Sequence, residues 1–194
     1  EFIQKQTARA ASQKWKYRHA DLDTWLRSAK NSLEQLPDFL DENFPGWKPV
    51  AAEHKLYETI DPDRDGKFKG FIDLVVKTTD GKYHILDWKT TSWGWDAQRR
   101  SDPMVTYQLT LYKHFFAQKH NIDPKNIETY FALLKRTAKN NIVEIFRVTS
   151  GPRKTKNATK VLTDACTSIH NGVRVKNRNS CDKCPFNNTE HCTR

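Results

Sequence analysis

Apolar and polar positions change rhythm several times along this chain, and each change predicts a change of element. Leu22, Trp25, Leu26, Ala29 and Leu33 recur at helical spacing within residues 2–44, a stretch with neither Gly nor Pro before Pro37. That pattern predicts a helix laying an apolar stripe on a core. Pro45, Gly46 and Pro49 interrupt it. From residue 50 the rhythm is that of strands: 50–60, 68–77 and 82–91, separated by the turn-rich DPDRDG and by Thr79-Asp80-Gly81. Ser101-Asp102-Pro103, a capping residue and then Pro in the first helical turn, opens a second helix that runs to about His120. Residues 129–135 and 142–149 read as two further strands, and 157–171 as a last helix closed by Gly172. The order α-βββ-α-ββ-α predicts an α/β fold, a mixed central sheet flanked by helices.

Length agrees with one domain: 194 residues can bury a substantial core but hardly two. Within it we expect a helical N-terminal part (1–48), a core (50–171) and a tail (172–194) too poor in apolar residues to hold itself. No apolar run approaches the ~18 residues of a membrane span. The opening EFIQKQ has neither an initiator Met nor the layout of a signal peptide. The expectation is an intracellular chain with a processed or truncated start.

The central hairpin concentrates the chemistry. Alternation in KYHILDWKTT places Tyr83, Ile85, Asp87 and Lys89 on one face. The preceding strand, GFIDLVV, carries Asp73 among apolar residues, where an unpaired carboxylate is costly. A two-residue turn would turn the aspartates away from each other. A three-residue turn with Gly81 left-handed pairs 78 with 82, and therefore 73 with 87. Two carboxylates then lie roughly 5 Å apart at Cβ, which is repulsive unless a cation stands between them. Mg²⁺ or Mn²⁺, hard ions that take oxygen ligands, would resolve the conflict. Glu53, on the neighbouring strand, can add a third carboxylate. Lys89 can orient a water and offset charge on a phosphate, so the expected chemistry is metal-assisted phosphodiester hydrolysis.

Glu53, Gly70-x-x-Asp73, Asp87-Trp88-Lys89 and Gln108-x-x-x-Tyr112, in this order, resemble the PD-(D/E)XK nuclease superfamily, in its RecB-like branch of recombination and phage exonucleases and iron–sulfur CRISPR adaptation nucleases. The resemblance covers residues 50–192 and implies a restriction-endonuclease-like core. It implies a metal on Asp73, Asp87 and the Trp88 main-chain carbonyl, served by Glu53, with Lys89 catalytic. Gln108 and Tyr112, at i and i+4 of one helix, would reach the same site. A His from an N-terminal helix ligates metal in many members; His19 is the residue available here, without the usual Gly-x-x-x-His context. Cys181-x-x-Cys184-Pro185 and Cys192 resemble the C-terminal cysteines of the iron–sulfur members. Three states stay open for them: [4Fe–4S] completed by Cys166, Zn²⁺ completed by His191 or His170, or no metal. Asp61-x-Asp63-x-Asp65-Gly66 imitates a calcium loop but has Ile72 where the bidentate Glu belongs, so it reads as an acidic turn.

Charge supports a polyanionic partner. Lys and Arg number 33 against 23 Asp and Glu, a net +10. Lys135-Arg136, Arg153-Lys154-x-Lys156 and Arg174-x-Lys176-x-Arg178 suggest a phosphate track. Trp93 and Trp95, just after the catalytic strand, are candidates for stacking on an unpaired base. The expected function is a Mg²⁺/Mn²⁺-dependent DNA nuclease, an exonuclease on single-stranded or duplex ends. Its rivals are a non-catalytic DNA-binding module or partner-dependent subunit of a recombination or repair complex, and an RNA-binding metal ribbon.

Overall fold

A computed structural model describes residues 5, 19–61, 64–138, 140–173, 181, 182 and 184–192. Helix α1 (His19–Asn43) leads into three antiparallel strands, β1 (Lys48–Asp61), β2 (Arg64–Lys77) and β3 (Tyr83–Thr91). The short α2 (Ala97–Ser101) and the long α3 (Pro103–His120) cross to β4 (Ile127–Lys135), which lies parallel to β3. β5 (Val143–Arg147) returns antiparallel, and α4 (Pro152–His170) closes the core. The sheet order is β1-β2-β3-β4-β5, so the expected mixed α/β sheet flanked by helices is what the chain forms. Among the described residues no helix is long and apolar enough to cross a membrane.

Each sheet face has its own core. On one, Ile72, Val75, Ile85, Phe131 and Leu133 pack beneath α3 residues Leu109, Tyr112, Phe115 and Phe116. On the other, Val76 and Leu86 are covered by Phe39, Leu40 and Phe44 at the end of α1. The apolar stripe expected from Leu22 to Leu33 is a correction. Trp25 and Leu33 are exposed and, with Ala29, line an open groove beside Thr90, Leu134 and Arg136. The end of α1 carries the core contacts. Its middle is held beside the end of β4 by a polar tether, Ser28 Oγ donating to the Arg136 carbonyl at 3.0 Å, which leaves the apolar side chains bordering a groove. The last helix begins at Pro152 rather than 157, because Pro152 fits the first helical turn, a start that the apolar pattern does not reveal.

The β2–β3 turn has the three-residue form. Thr78 N donates to Lys82 O at 3.0 Å, Gly81 N donates to Thr78 O at 3.0 Å, and Gly81 has φ +83°. Register follows: Lys77 faces Tyr83, Val76 His84, Val75 Ile85 and Leu74 Leu86. The paired register ends there, one step short of Asp73 and Asp87. At this step the pleat of β2 slips. Ile72 and Val75, three apart, are both buried in the α3-side core, which strict alternation forbids. The slip has a counterpart across the ladder. Glu53 lies between the pairs Ala52–Leu74 and His54–Ile72 and has φ +49°. A left-handed glutamate is an unfavoured backbone state, of the kind that collects at functional sites. Beyond Leu74, β1 and β2 continue away from β3 as a two-stranded ribbon.

Candidate active site

Asp87 is the centre of the site. It stands on the α3 face of β3, only 2 % exposed. Gln108 Nε2 donates to its Oδ1 at 3.0 Å and lies 3.2 Å from the Tyr112 hydroxyl. The helical i, i+4 spacing thus yields a relay from Tyr112 through Gln108 to the carboxylate. The Lys89 ammonium stands 2.5 Å from Asp87 Oδ2, but no hydrogen bond of acceptable angle satisfies that buried oxygen. Burial pushes the Asp87 carboxyl above its usual range and Asp73 adds to the effect, while Lys89 opposes both.

Asp73 is locked differently. Its Oδ2 accepts from Trp88 N at 2.7 Å, which ties the β2 carboxylate to the middle of Asp87-Trp88-Lys89. The Trp88 ring turns to the opposite face, edge-on to Phe39 at 6.3 Å. Gly70 explains itself by close approach. A Cβ there would come 2.6 Å from Tyr112 Cε1, so the helix that carries Gln108 and Tyr112 can sit against β2 only if residue 70 has no side chain.

Together these residues offer two carboxylates that repel, the buried one ion-paired to an ammonium through Oδ2. Such a donor set fits a hard divalent cation, which would remove the repulsion between Asp73 and Asp87. Among the described residues no three side chains of His, Cys, Asp and Glu cluster as a metal site. Any ion here would therefore complete its shell from main-chain oxygen and water, as Mg²⁺ commonly does.

A model of the PD-(D/E)XK nuclease superfamily matches residues 2–189. The chain belongs to that superfamily. Its coarse function follows, that of a metal-dependent nuclease. No curated protein matches the chain. Among solved structures, a candidate exonuclease from Eubacterium rectale superposes with TM-score 0.53 at 15% identity, over 83% of this chain and 60% of the other. That likeness concerns the fold alone. The protein SSO0001 overlaps 95% of this chain and 76% of its own at TM-score 0.48 and 14% identity. EndoMS in complex with double-stranded DNA overlaps 50% and 33% at TM-score 0.29 and 17% identity. Both score below the level that signifies a shared fold.

The structure brings Asp73, Asp87, Lys89, Gln108 and Tyr112 together, and its register places Glu53 across from Asp73 with an exposed side chain. His19 opens α1, and its side chain lies outside the described residues. Cys166 packs toward Gly66, whereas Cys181, Cys184 and Cys192 lie in the turns of the tail. The described cysteines and histidines form no group able to hold a cluster or zinc, so no step is assigned to either.

The two loop tryptophans divide. Trp95 is buried, 5.1 Å from the Phe131 ring and 5.6 Å from Phe146, and is an anchor rather than a free stacking surface. Trp93 is 75% exposed. Its loop is braced by Arg136 on Ser92 at 2.9 Å and by Thr137 on the Ser92 carbonyl. Glu144 lies beneath Gly94, holding Arg100 and, at 3.6 Å, Lys135. Arg153 and Lys156 are exposed and Lys154 is half-buried; Arg174, Lys176 and Arg178 lie outside the described residues. The brace through Arg100 and Glu144 was not legible in the sequence, since the partners are 44 residues apart on separate elements.

Proposed function

We propose that this chain is a RecB-like deoxyribonuclease using Mg²⁺ or Mn²⁺, with residues 1–194 acting as one nuclease unit on DNA ends. The observation that supports it is the closeness of two carboxylates, Asp73 accepting from Trp88 N and adding to the burial that raises the pKa of Asp87, with Lys89 ion-paired to Asp87 beside them. Asp73, Asp87 and the Trp88 carbonyl would hold the ion, with Glu53 serving its water shell. The bound ion would activate water and neutralise phosphate oxygens. Lys89 orients the attacking water and offsets charge that builds on the phosphate in the transition state. Gln108 fixes the Asp87 carboxylate in one rotation, and Tyr112 fixes Gln108. Trp93, Lys135, Arg136, Arg153, Lys154 and Lys156 are proposed to contact the nucleic acid, and exonuclease action is preferred because an exposed tryptophan in the loop after the catalytic strand suits a frayed end.

The test is digestion of single- and double-stranded DNA by the pure chain with Mn²⁺. Cleavage is expected, with Asp87→Ala and Lys89→Ala each reducing it by at least ~100-fold, the scale of losing one transition-state electrostatic group. Activity that survives both substitutions refutes the assignment. A salt-sensitive gel shift without cleavage favours the non-catalytic DNA-binding reading instead.

A further inference from the structure

The two-stranded ribbon of β1 and β2 has one covered face and one bare face. Leu56, Phe68 and Gly70 turn inward, with Phe68 stacked on Phe115 at 4.4 Å and Gly70 beneath Tyr112. The outward positions are Lys55, Tyr57 and Thr59 on β1 and Lys67, Lys69 and Phe71 on β2, all exposed. Tyr57 is 56% and Phe71 43% accessible, high values for aromatic side chains within regular strands. The pairing interleaves them: Lys55 faces Phe71, Tyr57 faces Lys69 and Thr59 faces Lys67. Lys55 Nζ lies 5.4 Å from the Tyr57 ring centre, and Lys69 Nζ lies 5.8 Å from that of Phe71. No outward position of 55–59 or 67–71 carries a carboxylate, because Glu58 turns inward to Lys119 at 3.0 Å.

We infer that this outer face is a platform for single-stranded DNA, carrying the strand to the catalytic hairpin by stacking on Tyr57 and Phe71 and pairing its phosphates with Lys55, Lys67 and Lys69. The inference rests on the nuclease reading and names the form of its substrate. Three features point to a single strand. Aromatic faces bind bases only where these are unpaired, and ring faces with ammonium groups among them are the sequence-tolerant means of doing so. Tyr57 on β1 and Phe71 on β2 are diagonal neighbours across the ladder, about 7–8 Å apart at Cα. That is about twice the 3.4 Å rise per nucleotide of a duplex strand, and suits a backbone drawn out of its stack. The outer face looks away from α3, and the ribbon runs to the fork where β2 parts from β3. A strand lying on it reaches the catalytic residues by crossing that fork, next to Asp73 and Glu53 in sequence. A base taking a ring face would displace the ammonium resting there toward the adjoining phosphate.

The experiment measures anisotropy of a labelled oligothymidine with the full-length chain in EDTA, which prevents cleavage. Tyr57→Ala with Phe71→Ala is expected to weaken binding tenfold or more. Tyr57→Phe, which keeps the ring, should bind like the parent. Lys55→Gln, Lys67→Gln and Lys69→Gln together should lower the slope of log affinity against log salt by about 2, at ~0.7 for each phosphate contact. Thermal melting checks that each variant folds, and hydrolysis of bis(p-nitrophenyl) phosphate with Mn²⁺ should be unchanged, since that substrate is too small to reach the ribbon. Parental affinity and salt slope in the variants, with a parent that cleaves DNA, overturn the platform while leaving the nuclease reading intact. A parent that neither binds nor cleaves any nucleic acid overturns both.

Discussion

Gly70 owes its place to Tyr112. The 2.6 Å approach that a Cβ would make to the Tyr112 ring leaves no room for even a methyl, and a ring wedged in the core is not a flexible tip that can swing aside. Gly70→Ala is therefore expected to destabilise the fold by about 1–3 kcal/mol, as overpacking does. It should also disturb the Tyr112–Gln108–Asp87 relay and so lower kcat with Mn²⁺. Combining it with Tyr112→Ala should restore part of the stability, a coupling of at least ~0.5 kcal/mol in a double-mutant cycle of denaturation measurements. Purely additive losses would show that the two residues do not meet. The glycine of Gly-x-x-Asp could be marked from sequence, but its reason lay forty-two positions away on a helix. Asp87 and Lys89 were legible as neighbours on one face because alternation holds along β3, and Asp73 because Gly81 was suited to the left-handed place in the turn; the slipped pleat at Asp73 itself was not. Glu53 was legible as a carboxylate on the adjoining strand, but not as a left-handed residue at a slipped pleat, since no local pattern of residues announces one.

At the scale of elements, the sequence predicted strands better than it predicted what covers them. Period and turn chemistry determine a hairpin locally, whereas an amphipathic helix does not reveal which part of its stripe a partner covers: the end of α1 is buried, and the stretch from Trp25 to Leu33 borders an open groove. The loop after β3 has no period at all. Its two tryptophans were separable only by packing, with Trp95 taken into the Phe131–Phe146 cluster and Trp93 left outside. If Trp93 meets a base, Trp93→Ala should raise KM for DNA several-fold, with little change in kcat or melting temperature. Unchanged KM would leave it a bystander. Where α1 meets the sheet, His84 is 6% exposed, with Thr78 Oγ1 at 2.9 Å from Nε2, the Phe44 ring at 4.9 Å and no partner for Nδ1. Burial pushes its pKa below the ordinary imidazole value, and burial does the same for His54, His114 and His120. The sign then follows. As pH falls through about 6.5 the unfolded chain takes up these protons first, so it gains stability relative to the fold. The contribution is fully present above that pH and is lost below it, until the lowered native values are reached. Melting temperature should fall between pH 7.5 and 5.5, and less steeply for His84→Gln. An identical slope would place the linkage on the other three histidines.

Across the whole molecule two electrostatic demands oppose each other. The chain carries a net +10, which favours DNA but also repels an approaching dication at long range. The site reverses that repulsion locally by bringing Asp73 close to Asp87 where β2 leaves β3. Part of the folding free energy is therefore spent holding two carboxylates together, and a cation between them should return it. The parent is expected to melt at higher temperature in Mn²⁺ than in EDTA, by an amount that grows with concentration as RT ln(1 + [Mn²⁺]/Kd), about 2.7 kcal/mol at a hundredfold excess over Kd. Asp87→Asn removes the repulsion and a ligand at once. It should be as stable as the parent or more so in EDTA, yet gain little from Mn²⁺. Calorimetry with K⁺ matched for ionic strength separates this from general screening, which falls on exposed charges alike and would leave the variant and the parent with equal shifts. Equal shifts would mean that no ion bridges the pair, and the nuclease chemistry would have lost its centre.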